Sequence, residues 1–287
     1  MGTLNELLSW GKGELAAAGI LEYELDAWLL LSFVTGIDRT RYLADRDRVV
    51  LDKDICYYRE LISKRSRRIP LQQLTGWQDF MGLAFEVDHH VLIPRQDTEL
   101  LVEEAGRRIR KRAQVRVLDL CTGSGCIITS LAHEYGSLGS GQIVRAVGVD
   151  ISERALEIAR KNAARHGVKV SFIKGDLFDA VEEKFDLIVS NPPYISSSVI
   201  ERLEPEVRDH EPRIALDGGE DGLYFYRKIT EQAADYLMEG GYLLYEIGYD
   251  QGEAVASILK KNGYADIKVY QDLAGLDRVC LGKRMEE

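Results

Sequence analysis

An amide, two prolines and a phenol stand in a row at Asn191, Pro192, Pro193 and Tyr194, directly after the apolar run "FDLIVS". Proline has no N–H to give a sheet, so the pair ends whatever strand precedes it. A plain strand stop with a packing tyrosine is one reading. A rigid clamp is the other. The Asn191 side-chain oxygen can accept a hydrogen bond, and Pro192 adds a backbone carbonyl at fixed φ. Pro193 stiffens the turn and Tyr194 offers a flat face. Two acceptors and a ring wall suit a planar NH₂ group. The nitrogen of an amide or exocyclic amine is a poor nucleophile, because its lone pair is delocalised. Accepting bonds from both N–H groups orients that lone pair and stabilises positive charge growing on nitrogen. This is preorganised electrostatics and requires no activated base.

A second constellation lies upstream in "DLCTGSG", Asp119 to Gly125. A glycine-rich turn between a strand and a helix lets a ligand approach the backbone closely. Gly123 and Gly125 lack the third glycine of the dinucleotide fingerprint, and no Gly-Lys-Ser/Thr follows as in a P-loop. The next strand ends in Asp150, whose carboxylate can accept from both hydroxyls of a ribose, or can simply cap the helix that starts at Ser152. The third strand ends in Asp176, a candidate neighbour of an adenine.

These residues need a scaffold that brings strand ends together. From Val115 onward, short apolar strands alternate with helices: "VRVLDLC", "IVRAVGVD", "KVSFIKGD", "FDLIVSN", "YLLYEIG", "ADIKVYQD" and "DRVCLGK" read as strands. That rhythm predicts an α/β fold with a mainly parallel sheet covered on both faces. Residues 95–287 form this unit, opened by a helix that Asp97 or Thr98 can cap. Residues 76–94 read as a β-hairpin linker with His89 and His90 at its turn. Adjacent strand residues point apart, so no shared metal site is expected there. Residues 1–75 read as helices. "TLNE" is a capping box on Thr3 and Glu6. The basic run "KRSRR" at 64–68 suits a solvated helix end or an anionic partner.

Taken together, "VLDLCTGSG", "VGVDIS" and "GDLF" resemble the cofactor elements of class I S-adenosylmethionine methyltransferases, whose Rossmann-like sheet has seven strands. An acid before the turn suits the cationic methionine half of that cofactor. The tetrapeptide is shared by enzymes acting on adenine-N6, guanine-N2 and glutamine-N5. The flanks narrow this choice. "IPLQQLTGWQDFMGLAFEVDHHVLIPRQDTELLVE", "EPRIALDGGEDGLYFYRKI" and "EIGYDQG" resemble, in order and over essentially the whole chain, the HemK/PrmC family, the glutamine-N5 methyltransferases of peptide-chain release factors. The resemblance implies a methyl acceptor, the glutamine of the release factor's Gly-Gly-Gln loop, and a helical front domain that recognises the release factor. It implies S-adenosylmethionine as cofactor and S-adenosylhomocysteine as product. Catalysis and substrate binding fall to Asn191, Pro192 and Tyr194, with Pro193. Cofactor binding falls to Asp119, Cys121, Thr122, Gly123, Ser124, Gly125, Asp150, Asp176, Leu177 and Asn191. The sequence departs from the family pattern at Cys121, often glycine, and at Gln96, often proline. Arg95, Glu99, Glu211 and Arg213 are expected to support the site or the fold by ion pairing.

Bulk properties agree with that reading. The 287 residues carry a net charge of -10, so a broad basic surface for nucleic acid is not expected. A base methyltransferase would also need a groove-reading element and a means of flipping a base. A non-catalytic cofactor sensor is the other rival, and an intact clamp argues against it. The four cysteines, Cys56, Cys121, Cys126 and Cys280, have no zinc spacing and read as reduced thiols. No signal, transit or membrane-spanning pattern is present, which predicts a bacterial cytoplasmic enzyme with no membrane partner.

Overall fold

The Thr3 hydroxyl accepts from the Glu6 N–H at 3.3 Å, and the Glu6 carboxylate accepts from the Thr3 N–H at 2.9 Å. This reciprocal cap starts the first helix of a computed structural model that describes residues 2–285. The helical unit holds β1 (Gly2–Thr3), α1 (Leu4–Ala17), α2 (Tyr23–Thr35), α3 (Arg39–Ala44), β2 (Val49–Val50), α4 (Asp52–Ser66) and α5 (Leu71–Thr75). Leu4, Leu8, Leu15, Leu30, Leu31, Tyr58 and Ile62 form its core. The basic run on α4 is not simply solvated. Arg65 is buried, donates to Asp26 at 2.7 Å and reaches Glu206 at 2.9 Å. Arg68 shares Glu206 at 3.0 Å. Glu206 lies far along the chain, but Glu204–His210 belongs to this helical unit.

The second unit runs from Gln78 to Leu203 and resumes at Glu211. The hairpin pairs β3 (Trp77–Phe80) with β4 (Leu83–Glu86). Its turn is at Met81 and Gly82, with φ of 52° and 72°, and not at the histidines. A two-residue loop matched to the strand twist needs positive φ at both centres, which Gly82 adopts freely. His89 and His90 sit in a later turn with ring centroids 3.8 Å apart. Their side chains therefore do not diverge as a strand would require, and Asp88 lies beside them, its Oδ1 accepting from the His90 N–H at 2.7 Å.

Next come α6 (Glu99–Ile109), β5 (Val115–Leu120), α7 (Cys126–Tyr135), β6 (Ile143–Asp150), α8 (Glu153–Arg165), β7 (Ser171–Lys174), β8 (Phe185–Ser190) and α9 (Ser197–Ile200), and then α10 (Pro205–Arg208), which belongs to the helical unit. After them come α11 (Tyr224–Tyr236), β9 (Leu237–Glu246), α12 (Gly252–Lys261), β10 (Tyr264–Gln271) and β11 (Asp277–Arg284). The seven-stranded sheet has the order β10-β11-β9-β8-β5-β6-β7. Strands β5 to β9 are parallel, and β11 runs antiparallel to both neighbours. Successive strand residues feed opposite faces. Val117 and Leu187 pack with α6, α7 and the hairpin's Phe80 and Phe85, while Leu118 and Ile188 pack with α11 and α12. Two buried faces explain why these strands read as apolar runs without alternation.

Strand order reverses between β5 and β8. The chain builds β5, β6 and β7 to one side and returns to place β8 on the other. Such a switch point opens a crevice at the C-terminal ends of the strands. Leu120 pairs with Ser190 there, and the Ser190 hydroxyl donates to the Leu120 carbonyl at 2.8 Å. The residues that follow each strand, Cys121 and Asn191, therefore start at the same edge.

Candidate active site

The glycine-rich turn is built from left-handed backbone. Cys121, Gly123 and Gly125 have φ of 57°, 54° and 75°. At Gly125 a β-carbon would come within 3.0 Å of the Ala159 Cβ, so this glycine lets α8 approach. The Asn162 side chain, on the same helix and fully buried, donates to the Ser124 carbonyl at 2.9 Å and accepts from the Glu86 N–H at 2.7 Å. One amide thus ties the turn to the hairpin. Its sequence position carried only the helical periodicity of a core-facing residue.

A cavity of about 290 Å³ opens at this edge. Cys121, Thr122, Gly123, Ser124, Asp150, Asp176, Leu177, Asn191 and Pro193 line it. Asp119, Gly125, Pro192 and Tyr194 are not on its wall. The Asp150 carboxylate accepts from the Gly123 N–H at 2.8 Å and from the Ser152 N–H at 2.9 Å. It does not cap α8, because the Ser152 hydroxyl does so by accepting from the Ala155 N–H at 3.2 Å. Each Asp150 oxygen keeps a lone pair for a ligand. Burial raises its pKa, and the backbone donors oppose that shift. Asp176 lies beyond the end of β7 and pairs with Lys228 at 2.8 Å. Leu177 follows with φ of 54°, so two non-glycine residues on the cavity wall, Cys121 and Leu177, hold left-handed backbone. Such conformations persist only where the surrounding structure imposes them.

Asp119 is fully buried. Its Oδ2 accepts from the Thr122 hydroxyl at 2.5 Å, while its Oδ1 has no protein partner. Burial pushes its pKa up to about 7, helped by the nearby Asp150 charge. An orphaned carboxylate oxygen behind an anionic cavity edge fits a ligand that carries positive charge. That is the requirement of a sulfonium cofactor with a free amine. It would disfavour a pyrophosphate.

Behind the clamp is a second buried acid. Glu246 ends β9, one residue past Tyr245, which pairs with Ser190. It accepts from the Tyr194 hydroxyl at 3.3 Å, and its Oε2 has no partner. Burial raises its pKa to about 7, opposed by the Thr98 and Tyr194 hydroxyls. The Thr98 side chain does not cap α6, since a 3₁₀ turn over Gln96–Thr98 leads into that helix, and its oxygen accepts from Asn191 Nδ2 at 3.4 Å. Neither Thr98 nor Glu246 stood out as a site residue in the sequence. The rule that selects Asp150, an acid at the end of a parallel strand, selects Glu246 equally.

The expected supporting residues separate. Arg95 contacts the buried Glu211 at the cavity rim. Glu99 accepts from the Met81 N–H at 2.7 Å and so fixes the hairpin turn. Arg213 is exposed and pairs with Glu201 at 3.0 Å and Asp217 at 3.5 Å.

Residues 6–76 match the PrmC N-terminal domain, and residues 111–272 match a methyltransferase domain. A release factor glutamine methyltransferase of Geobacter sulfurreducens is 44% identical, aligned over 98% of this chain and 96% of its own. The chain belongs to the release factor glutamine methyltransferase family. A second member, from Clostridium botulinum, is 39% identical over 98% of this chain and 99% of its own. A methyltransferase of Pyrococcus furiosus shares the fold, with a TM-score of 0.53, 20% identity and coverage of 78% of this chain and 100% of that one. A release factor glutamine methyltransferase of this kind depends on S-adenosylmethionine, and the class I fold expected from the strand–helix rhythm is the one present.

Proposed function

We propose that this chain transfers the methyl group of S-adenosylmethionine to the side-chain amide nitrogen of the glutamine in the Gly-Gly-Gln motif of a bacterial release factor, in the cytoplasm. Bound in the cavity, the cofactor supplies an electrophilic methyl. Asp119 and Asp150 hold its cationic and ribose ends, assisted by the backbone of 121–125, with Asp176 and Leu177 at the adenine. Asn191 Oδ1 and the Pro192 carbonyl accept from the glutamine NH₂. Pro193 and the tethered Tyr194 hold those acceptors in place. The observation that supports this reading is the pairing of Leu120 with Ser190, because the residues that follow them, Cys121 to Ser124 and Asn191, line the same cavity.

The test is incubation with methyl-labelled cofactor and a purified release factor. One glutamine should be labelled, and a release factor with that glutamine changed to alanine should not be. Asn191→Ala should keep cofactor binding while transfer falls by about 100-fold or more, the scale of a lost preorganised hydrogen bond. Labelled adenine in DNA, with no labelled protein, would replace this reading with the nucleic-acid one.

A further inference from the structure

Neighbouring residues diverge on a strand, but a turn can gather them. Asp88 opens such a turn. Its Oδ1 accepts from the His90 N–H at 2.7 Å, and its carbonyl accepts from the Val91 N–H at 3.4 Å. Aspartate favours this place because its side chain bonds the backbone two residues on. The turn brings the His89 and His90 rings to 3.8 Å between centroids. One potential ligand atom from each of Asp88, His89 and His90 lies within 4.8 Å of the other two. We propose that these three side chains bind a divalent transition-metal ion such as Zn²⁺, and that the bound ion weakens cofactor binding in the adjoining cavity.

The donor set selects the ion. Two imidazoles and a carboxylate suit Zn²⁺, whereas Mg²⁺ and Ca²⁺ call for oxygen ligands. A tetrahedral Zn²⁺ bonded at about 2.0–2.1 Å sets its ligand atoms about 3.3–3.5 Å apart, and water takes the fourth position. Side-chain rotation closes the difference from the present spacing. Asp88 Oδ1 holds the turn, and Oδ2 remains for the ion. His89 is exposed and the other two are half-buried, so the ion can arrive from solvent. Lys161 lies near Asp88 and would oppose a cation, but its ammonium is paired with Glu86 at 2.8 Å.

The turn is anchored on both sides. Val87 and Val91, 2% and 1% exposed, pack against Ala155 and Ile158 of α8. Little ordering is then needed to assemble the ligands. His90, Val91 and Ala155 also line the cavity that holds Asp150, while His89 does not. A divalent ion on His90 adds positive charge to a wall whose acids attract a cationic ligand. S-adenosylmethionine, with its sulfonium, should therefore lose more affinity than S-adenosylhomocysteine, whose sulfur is neutral. The cofactor in turn weakens the ion by the same factor. This coupling rests on the reading of the cavity as the cofactor's, and ion binding itself does not.

Calorimetry of the tag-free full chain without cofactor reads the ion site directly, with zinc chloride as the probe and magnesium chloride as the contrast. Zn²⁺ should bind at one site per chain and Mg²⁺ should not. His89→Ala and His90→Ala should each weaken Zn²⁺ binding by at least about 10-fold, the lower end of what loss of an outer partner costs a metal site. Asp88→Asn keeps an oxygen for the His90 N–H and removes the charge, so it should weaken the ion while the melting temperature holds. At saturating Zn²⁺ the Kd of S-adenosylmethionine should rise by about 5-fold or more, and that of S-adenosylhomocysteine by less. His89→Ala should bind cofactor as the wild type does without zinc, and zinc should no longer change its Kd. Zn²⁺ binding that survives unchanged in both histidine variants overturns the site. An S-adenosylmethionine Kd that ignores Zn²⁺, or a zinc effect that persists in His89→Ala, overturns the coupling. A wild-type protein that binds no S-adenosylmethionine at all removes the cofactor reading of the cavity and leaves the zinc result standing, so the two failures are distinct.

Discussion

Gly218 passes the clamp so closely that a β-carbon on it would lie 2.7 Å from the Tyr194 Cα. The Gly218 N–H donates to the Ile195 carbonyl at 2.8 Å, and the Ile195 N–H donates to the Leu216 carbonyl at 3.0 Å. Nearby, a β-carbon on Gly222 would meet the Tyr194 carbonyl at 2.4 Å, and the Gln251 side chain donates to that carbonyl at 2.9 Å. The "LDGGEDG" stretch is thus a backbone brace laid against Pro193–Ile195. Its glycines are needed because backbone passes backbone.

Gly218→Ala should therefore disturb the clamp directly. The obstructing atoms are main chain and cannot rotate away, so a cost of about 1–3 kcal/mol is expected, as for overpacking. Transfer should fall more than cofactor binding. Gly13→Ala, on α1 with nothing within 4 Å of its added carbon, is the control. It should stabilise by about 0.5–1 kcal/mol, because glycine is a poor helix former. Chemical denaturation of both variants, with calorimetry of cofactor binding, checks the pair. A Gly218→Ala enzyme of full activity would show that the brace yields.

Cys121 occupies left-handed backbone that glycine adopts without strain. Cys121→Gly should relieve about 1–2 kcal/mol of that strain and lose part of it again through the missing side-chain packing. The net stability change should be small, and cofactor binding should persist. Cys121→Val should be clearly worse, since a β-branched residue is the poorest choice at positive φ. Burial also raises the Cys121 and Cys126 thiols, the latter to about 12, and raises Cys280 to about 12. Iodoacetamide at pH 8 should label the exposed Cys56 in the native protein and the other three only after unfolding.

Asp119 and Glu246 give the stability a defined pH dependence. Their ordinary values are 3.8 and 4.5, and burial raises both to about 7. Between those limits the native state holds protons that the unfolded chain has released. Stability from these groups is full below about pH 4 and is lost as pH rises through about 7. Urea midpoints at pH 5 and pH 7.5 should differ less in Asp119→Asn than in wild type. Cofactor binding places positive charge beside Asp119, so its affinity should increase with pH over the same window. An affinity that falls with pH would contradict the proposed placement of the amine.

Arg65 and Asp26 are both nearly enclosed, with side-chain exposures of 9% and 5%. Removing one partner of a buried pair leaves a charge without compensation. Arg65→Ala should destabilise the helical unit by about 3–5 kcal/mol, whereas a double apolar replacement at both positions should be far milder. Thermal unfolding of the single and double variants checks this. Equal losses in both would point to packing as the source of the effect.

Much of this protein is local and therefore readable in a line of residues. The Thr3–Glu6 cap, the apolar strands, the positions of Asp119 and Asp150 and the proline-stiffened clamp all follow from short-range periodicity, capping and φ restriction. The two histidines make a natural-looking break in the sequence, but they do not form the hairpin turn. Met81 and Gly82, with both centres at positive φ, set it instead. The Arg65–Glu206 contact escaped for a different reason, since nothing local marks Glu204–His210 as part of the helical unit.

The sequence alone determined which chemical groups end the strands. Only the tertiary structure decided which of them meet. Ser190 pairs with Leu120 on one side and Tyr245 on the other, so Asn191 stands between the glycine-rich turn and Glu246. Strand order is a non-local choice, made by burying two sheet faces at once, and no window of neighbouring residues encodes it. Thr98 shows the consequence. In sequence it is, with Asp97, one of two candidate helix caps. In the fold its hydroxyl has left that duty and serves the amide of Asn191.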